Sequence, residues 1–169
     1  YEAHPLNSCQ DCHDVHALEP KMETCAACHD QDEAEAIRGN LVSDVTAPDY
    51  DGDGDTAEGV KAELDALADV LYAELQAYST DAGAPVVYDS HAYPYFFADT
   101  NGDGEATPDE ANYGNKYGAF DAKSLKAAYN YQYYQKDPGA FVHNGNFVAQ
   151  ILIDSIADLG GNISAYARP

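Results

Sequence analysis

Tryptophan is absent from the 169 residues and methionine occurs once, as Met22. A metal centre that takes methionine as a ligand can therefore occur here at most once. Basic residues are scarce: 8 Lys and Arg against 30 Asp and Glu leave a net charge of −22. Phosphate contacts need Lys and Arg, so this balance argues against nucleic acid and against an anionic membrane surface as partners. No apolar run reaches the about 18 residues that would span a bilayer. No signal peptide is visible, and an opening Tyr1 in place of Met is what a processed chain would show. Cysteine does not occur after position 28.

What is present is concentrated. All four cysteines and four of the six histidines fall in the first thirty residues, in CQDCHDVH from Cys9 to His16 and CAACH from Cys25 to His29. Two disulfides would account for the thiols, but a CxxC pair closes only a local ring, and a disulfide has no use for the adjoining histidine. A four-thiolate zinc site accounts for the repeated CxxC and leaves the histidines idle. The pattern CxxCH, occurring twice, is the signature of covalent c-type haem attachment. The two thiols add across the two vinyl groups on one porphyrin edge, and the next residue places an imidazole under the iron. Cys9, Cys12 and His13 are thus assigned to one haem, and Cys25, Cys28 and His29 to a second.

Four histidines remain: His4, His16, His91 and His143. Two of them would complete bis-histidine ligation at both irons. His16 lies three residues after His13, which on a helical turn aims it near the same face, towards a neighbouring haem. His143 lies between the last two expected helices. The order of candidacy as distal ligand is His16 and His143, then His4, then His91. Irons closed by two imidazoles favour electron transfer over substrate chemistry, and no catalytic residue is assigned.

The carboxylates cluster as well. DTNGDGEATPDE fills a twelve-residue calcium loop: Asp99, Asn101 and Asp103 at positions one, three and five, Gly104 at six, and Glu105 through its carbonyl at seven. Thr107 and Glu110 take positions nine and twelve. A looser relative, DYDGDGDTAEG, offers Asp49, Asp51, Asp53 and Asp55. Its twelfth place is Val60, so Glu58 or Glu63 would close it from a shifted position. One or two structural calcium ions are expected.

The rest of the chain reads as mainly α with long ordered loops, and its 45% hydrophobic content suffices for one domain over 1–169. Residues 1–40 form the attachment segment, with a helix from Cys25 to Arg38 stopped by Gly39-Asn40. Residues 41–169 form a helical segment carrying both acidic loops. Val60, Leu64, Leu67, Leu71 and Leu75 make one apolar stripe on a helix over 60–78. A helix over 121–136 is capped by Asp121 and ended by Asp137-Pro138-Gly139. A last helix over 145–159 is expected to bury Phe147, Val148, Ile151, Leu152, Ser155, Ile156 and Leu159. Residues 81–98 read as irregular. The 14 Tyr and 5 Phe are expected mainly as core packing.

CQDCHDVHALE followed by CAACH resembles the multihaem c-type cytochromes that use CxxCHxxH, where the extra histidine often serves the next haem. DYDGDGDTAEG, YPYFFADTNGDG, KAAYNYQYYQKDPGAFVHN and ILIDSIADLGG are similar to the C-terminal region of exported polyhaem cytochromes. The resemblance covers nearly the whole chain, although relatives usually carry more than two haems. It implies redox partner proteins or extracellular acceptors and an extracellular, cell-surface or periplasmic location; together with the acidic loops, a haem- and calcium-stabilised structure is expected. Similarity to cytochromes that polymerise into extracellular filaments implies head-to-tail copies of the chain, with a histidine donated across the interface. A soluble periplasmic dihaem shuttle, a haem peroxidase or reductase with one open iron, and a zinc-binding module are the alternatives.

Overall fold

The longest apolar stripe in the sequence forms the spine of the molecule. The computed structural model describes residues 6–37 and 49–169. Helix α3 (Val60–Asp81) buries Leu64, Leu67, Leu71 and Leu75 completely against α4 (Ala122–Lys136) and α6 (Gly145–Leu159). Each fully buried leucine contributes about 1.5–3 kcal/mol relative to exposure, so this seam holds the three helices together. Ahead of it lie two short helices, α1 (Cys9–Cys12) and α2 (Met22–His29), and one turn of 3-10 helix at Ala34–Ala36. The four-residue α5 (Ala140–His143) leads into α6 and is anchored by the fully buried Ala140. Among the described residues the architecture is mostly α.

The helix ends follow local chemistry. At the start of α4, Asp121 Oδ1 accepts from the Lys123 and Ser124 N–H groups at 3.0 and 2.8 Å, and the Tyr78 hydroxyl donates to Oδ2 at 2.6 Å. At the end of α6, Gly160 takes φ 106°, a conformation that costs a residue without Cβ little. The Tyr78 hydroxyl above all, with the Ser124 donors, holds the Asp121 carboxyl down at about 2, against an ordinary 3.8. A carboxyl depressed in the folded state stabilises fully above its unfolded value and loses that contribution as pH falls from 3.8 through about 2. Asp121→Ala is therefore expected to lower the thermal midpoint at pH near 7, with the deficit shrinking in acid. Melting curves of both proteins across that range check it.

Three expectations are corrected. The helix expected to run from Cys25 to Arg38 stops at His29, because Asp30 turns into the left-handed region at φ 54°; Arg38, Gly39 and Asn40 lie outside the described residues. Within 81–98, Val86–Tyr88 (β1) and Phe96–Ala98 (β2) pair antiparallel, with Val87 opposite Phe97. Both residues of that pair are fully buried. The buried face of α6 is turned from the one expected: Ala149 and Ile153 join Val148, Leu152, Ser155 and Ile156, while Phe147 is half exposed.

The tyrosines pack largely on one another. Tyr72 stacks on Tyr131 with centroids 5.1 Å apart, and Tyr88 meets Tyr131 edge-on at 5.1 Å and Phe96 at 4.9 Å. Burial pushes the Tyr88 phenol up to about 12. This cluster ties the hairpin to α3 and α4.

Candidate functional site

The two Cys-Xaa-Xaa-Cys-His stretches sit on an arm, residues 6–37, in which no residue is buried. Short-range polar contacts shape it. The Asp11 carboxylate accepts from the Asn7 and Ser8 N–H groups at 3.2 and 2.9 Å, fixing the start of α1. The Ser8 backbone donor does most to hold Asp11 below the usual carboxylate range. Between α1 and α2 the chain doubles back through a bridge pairing His13 with Pro20, and Lys21 Nζ donates to the Gln10 carbonyl at 2.6 Å. This fold-back brings Cys12 near Cys25: burial raises the Cys25 thiol pKa, and the neighbouring Cys12 raises it further.

All four cysteines are free, so no disulfide joins them. Nor do they converge as a four-thiolate site would. Among the described residues, every group of three or more candidate ligands that comes together is acidic.

His13 follows α1 in extended backbone, with its N–H on the Cys9 carbonyl at 2.8 Å. His16 is therefore not one helical turn beyond it. It sits in an exposed turn whose N–H groups, from His16 and Ala17, the Asp14 carboxylate accepts at 2.8 and 2.9 Å. His29 ends α2. His91 occupies the β1–β2 connection with its side chain 93% exposed, beside Ser90 and Asp89. His4 lies outside the described residues. His143, which ends α5, comes from 130 positions along the chain to face His13: the ring centroids are 6.1 Å apart and tilted by 45°. It is the one contact between histidine rings among the described residues.

Gly139 makes room for that ring. A Cβ added there would lie 2.7 Å from His143 Cε1 and Nδ1. The sequence marked Gly139 only as a helix stop; neither its second role nor the distant pairing leaves a local signal.

The acidic loops are built alike. In the second, Asp99 accepts from the Gly102 and Gly104 N–H groups at 2.6 and 3.0 Å; in the first, Asp49 accepts from Gly52 and Gly54 at 2.6 and 2.9 Å. All four glycines have φ between 72° and 90°, the left-handed turn such a loop needs. Glu110 closes the second loop: Oε1 accepts from the Thr100 and Asn101 N–H groups, and Oε2 from the Thr107 N–H and hydroxyl. The Thr107 hydroxyl leads these donors in lowering the Glu110 pKa to about 2. Glu63, from the first turn of α3, does the same for the first loop, its Oε2 accepting from the Tyr50 and Asp51 N–H groups at 2.8 and 3.1 Å.

Carboxylate oxygens of Asp99, Asp103 and Glu110 lie within 4.8 Å of one another, as do those of Asp49, Asp51 and Glu63, and those of Asp51, Asp53 and Glu58. Both readings of the first loop's closure thus meet in space, and fully buried Glu63 is the counterpart of Glu110. Burial raises the Asp51 and Glu58 pKa values, and the Glu63 charge raises both further. A divalent cation would relieve that repulsion, and the oxygen-only donor sets suit calcium. Asn101 and Asp55 act locally: Asn101 Oδ1 accepts from Asp103 and Asp55 Oδ1 from Ala57, while the Asn101 amide donates to Asp103. Glu105 donates its N–H to Asp103 at 2.8 Å. The second loop runs between β2 and a 3-10 turn, so it is not the helix–loop–helix of a calcium sensor, and the first leads into α3.

The sequence is 31% identical over 109 residues to the C-type polyheme cytochrome OmcC of Geobacter sulfurreducens, covering 60% of this chain and 14% of that protein. It is also 31% identical over 101 residues to the C-type polyheme cytochrome OmcB of two strains of the same species, covering 55% of this chain and 14% of the relative. The chain thus spans about one-seventh of the length of the curated relatives it matches. These likenesses support a multihaem c-type cytochrome family. No family model and no solved structure matches. No helix among the described residues is long and apolar enough to cross a membrane.

Proposed function

We propose that the chain is an exported electron carrier with two covalent c-type haems, held by Cys9, Cys12 and His13 and by Cys25, Cys28 and His29. The observation that carries this reading is the arm itself. Four unpaired thiols and two adjoining histidines sit on about thirty ordered residues with no buried side chain, a segment that lacks a core of its own and gains one if it wraps porphyrin. Haem supplies one-electron redox chemistry. The chain supplies thiols for attachment and imidazoles for the iron, and the fold-back at the His13–Pro20 bridge packs α1, which carries the first thiols, against α2, which carries the second. Two imidazoles at each iron would leave no open position, which favours transfer over catalysis.

The two acidic loops would each hold one calcium ion, the first through Asp49, Asp51, Asp53, Glu58 and Glu63 and the second through Asp99, Asp103 and Glu110, with carbonyls completing the shells. Two haems reach only a short distance, so the proposal includes head-to-tail assembly of identical chains into an extracellular filament. The outward-facing His91 favours this, since its exposed ring is open to approach by a neighbouring copy.

Intact mass and the pyridine haemochrome spectrum of the native protein test the cofactor: two haems per chain are expected, and a haem-free chain overturns the reading. Carbon monoxide should not bind; uptake at one iron would turn the reading towards an oxidoreductase. Electron micrographs of protein released from the host test assembly. Regular filaments are expected, and monodisperse particles would replace the filament with a periplasmic shuttle.

A further inference from the structure

The geometry points to His13 and His143 as the two axial ligands of one iron, so that the haem on Cys9 and Cys12 pins the arm to the helical body, with Gly139 as the residue that positions the His143 ring. This rests on the haem reading above and adds what the sequence left open, namely which distal histidine serves which haem. Two imidazoles bound through nitrogen to one metal at about 2 Å place their ring centroids about 6 Å apart. The centroids of His13 and His143 are 6.1 Å apart. His13 adjoins the thiols of the first attachment set, so His143 would supply the second imidazole to that same iron.

The base beneath His143 is rigid. Ala140, at the start of the same short helix, is fully buried, and α5 runs directly into α6, whose inner face is locked against α3. The His143 N–H donates to the Gly139 carbonyl at 2.9 Å, and its ring folds back over the Gly139 Cα. Gly139 has φ −99°, which any residue adopts, so glycine is not needed there for the backbone. It leaves space: an alanine methyl would lie 2.7 Å from two atoms of the ring, so the ring would have to shift. Gly139→Ala should therefore displace the imidazole while leaving the fold intact. His16 and His91 have no comparable approach to another described histidine.

The test uses the full chain made in a host that attaches c-type haem. His143→Ala should keep both haems covalently bound but open one iron. Carbon monoxide uptake should rise from none to one per chain, and added imidazole should restore the closed low-spin spectrum. His143→Met should introduce a sulfur-to-iron charge-transfer band and raise one midpoint potential. Gly139→Ala should give a mixture of open and closed iron with unchanged helix content.

Assignment to the first haem is read in chains carrying one haem each. With Cys25→Ser and Cys28→Ser, adding His143→Ala should open the remaining iron. With Cys9→Ser and Cys12→Ser, it should change nothing. A His143→Ala protein with two haems, both still closed, overturns the pairing, as does opening of only the second haem. A wild-type chain without haem would instead defeat the haem reading beneath it. If His143→Ala fails to fold, His143→Met and Gly139→Ala decide: unchanged spectra in both overturn the proposal.

Discussion

Replacing Cys9 and Cys12 together with serine is expected to halve the haem content of the protein and to release the arm while the helical body stays folded. The body buries its own core, in which Leu64, Leu67, Leu71, Leu75, Leu152, Ile153 and Ile156 have no exposed surface. The arm buries nothing comparable. Ordering each backbone residue costs about 1–2 kcal/mol, and the polar turns of the arm do not offset that sum, because each hydrogen bond contributes only about 0.5–1.5 kcal/mol net. On the haem reading, two thioether bonds and an iron held also from the body would supply that order. The double substitution should therefore lower haem per chain from two to one by haemochrome absorbance. It should make the bond after Lys21 readily cleaved by trypsin, while far-ultraviolet dichroism falls only by the share of α1 and α2. An arm that stays protected without that haem would show that the arm holds itself, against this account.

The same division explains what was legible in the sequence. The spans of α3 and α6 are legible from apolar stripes at helical spacing, and that of α4 from its punctuation, Asp121 before it and Asp137-Pro138-Gly139 after it. The hairpin was hidden because each strand is three residues long, too short to show alternation. α2 ends sooner than its composition suggests: the run after His29 has good helix formers, but Asp30 turns the chain. Of the second loop's template positions, Asp99, Asp103 and Glu110 come together in space, while Asn101 and Glu105 make local hydrogen bonds. In the first the twelfth place falls on Val60, where α3 begins, and both carboxylates the sequence offered instead, Glu58 and Glu63, lie beside the loop's aspartates. The meeting of His13 with His143 is a product of tertiary packing, and no local pattern announces it.

Withdrawing calcium is expected to act on the two ends of α3 differently, and in this the two loops part company. α3 is 22 residues long, so its ends lie about 33 Å apart. The second loop sits at the C-terminal end, where the Gln76 amide donates to the Gly104 carbonyl at 2.7 Å. The first sits at the N-terminal end among the parts that carry His143: the Tyr50 hydroxyl donates to Asn146 at 2.8 Å at the start of α6, and the Val60 N–H donates to the Ile37 carbonyl of the arm at 3.2 Å.

A cation at a hundred times its dissociation constant stabilises a folded protein by about 2.7 kcal/mol per site. Chelation should thus lower the thermal midpoint markedly, and Glu63→Gln and Glu110→Gln should each remove one of two calorimetric binding events, weakening that site by about tenfold or more. Glu110→Gln should leave the haem spectrum and potentials unchanged. Glu63→Gln should also shift the low-spin signal of one iron, because loss of the first ion loosens the junction of arm, α3 and α6 that holds His143 in place. Equal spectral effects from the two substitutions, or none from Glu63→Gln once its calcium is gone, would separate the first loop from the haem.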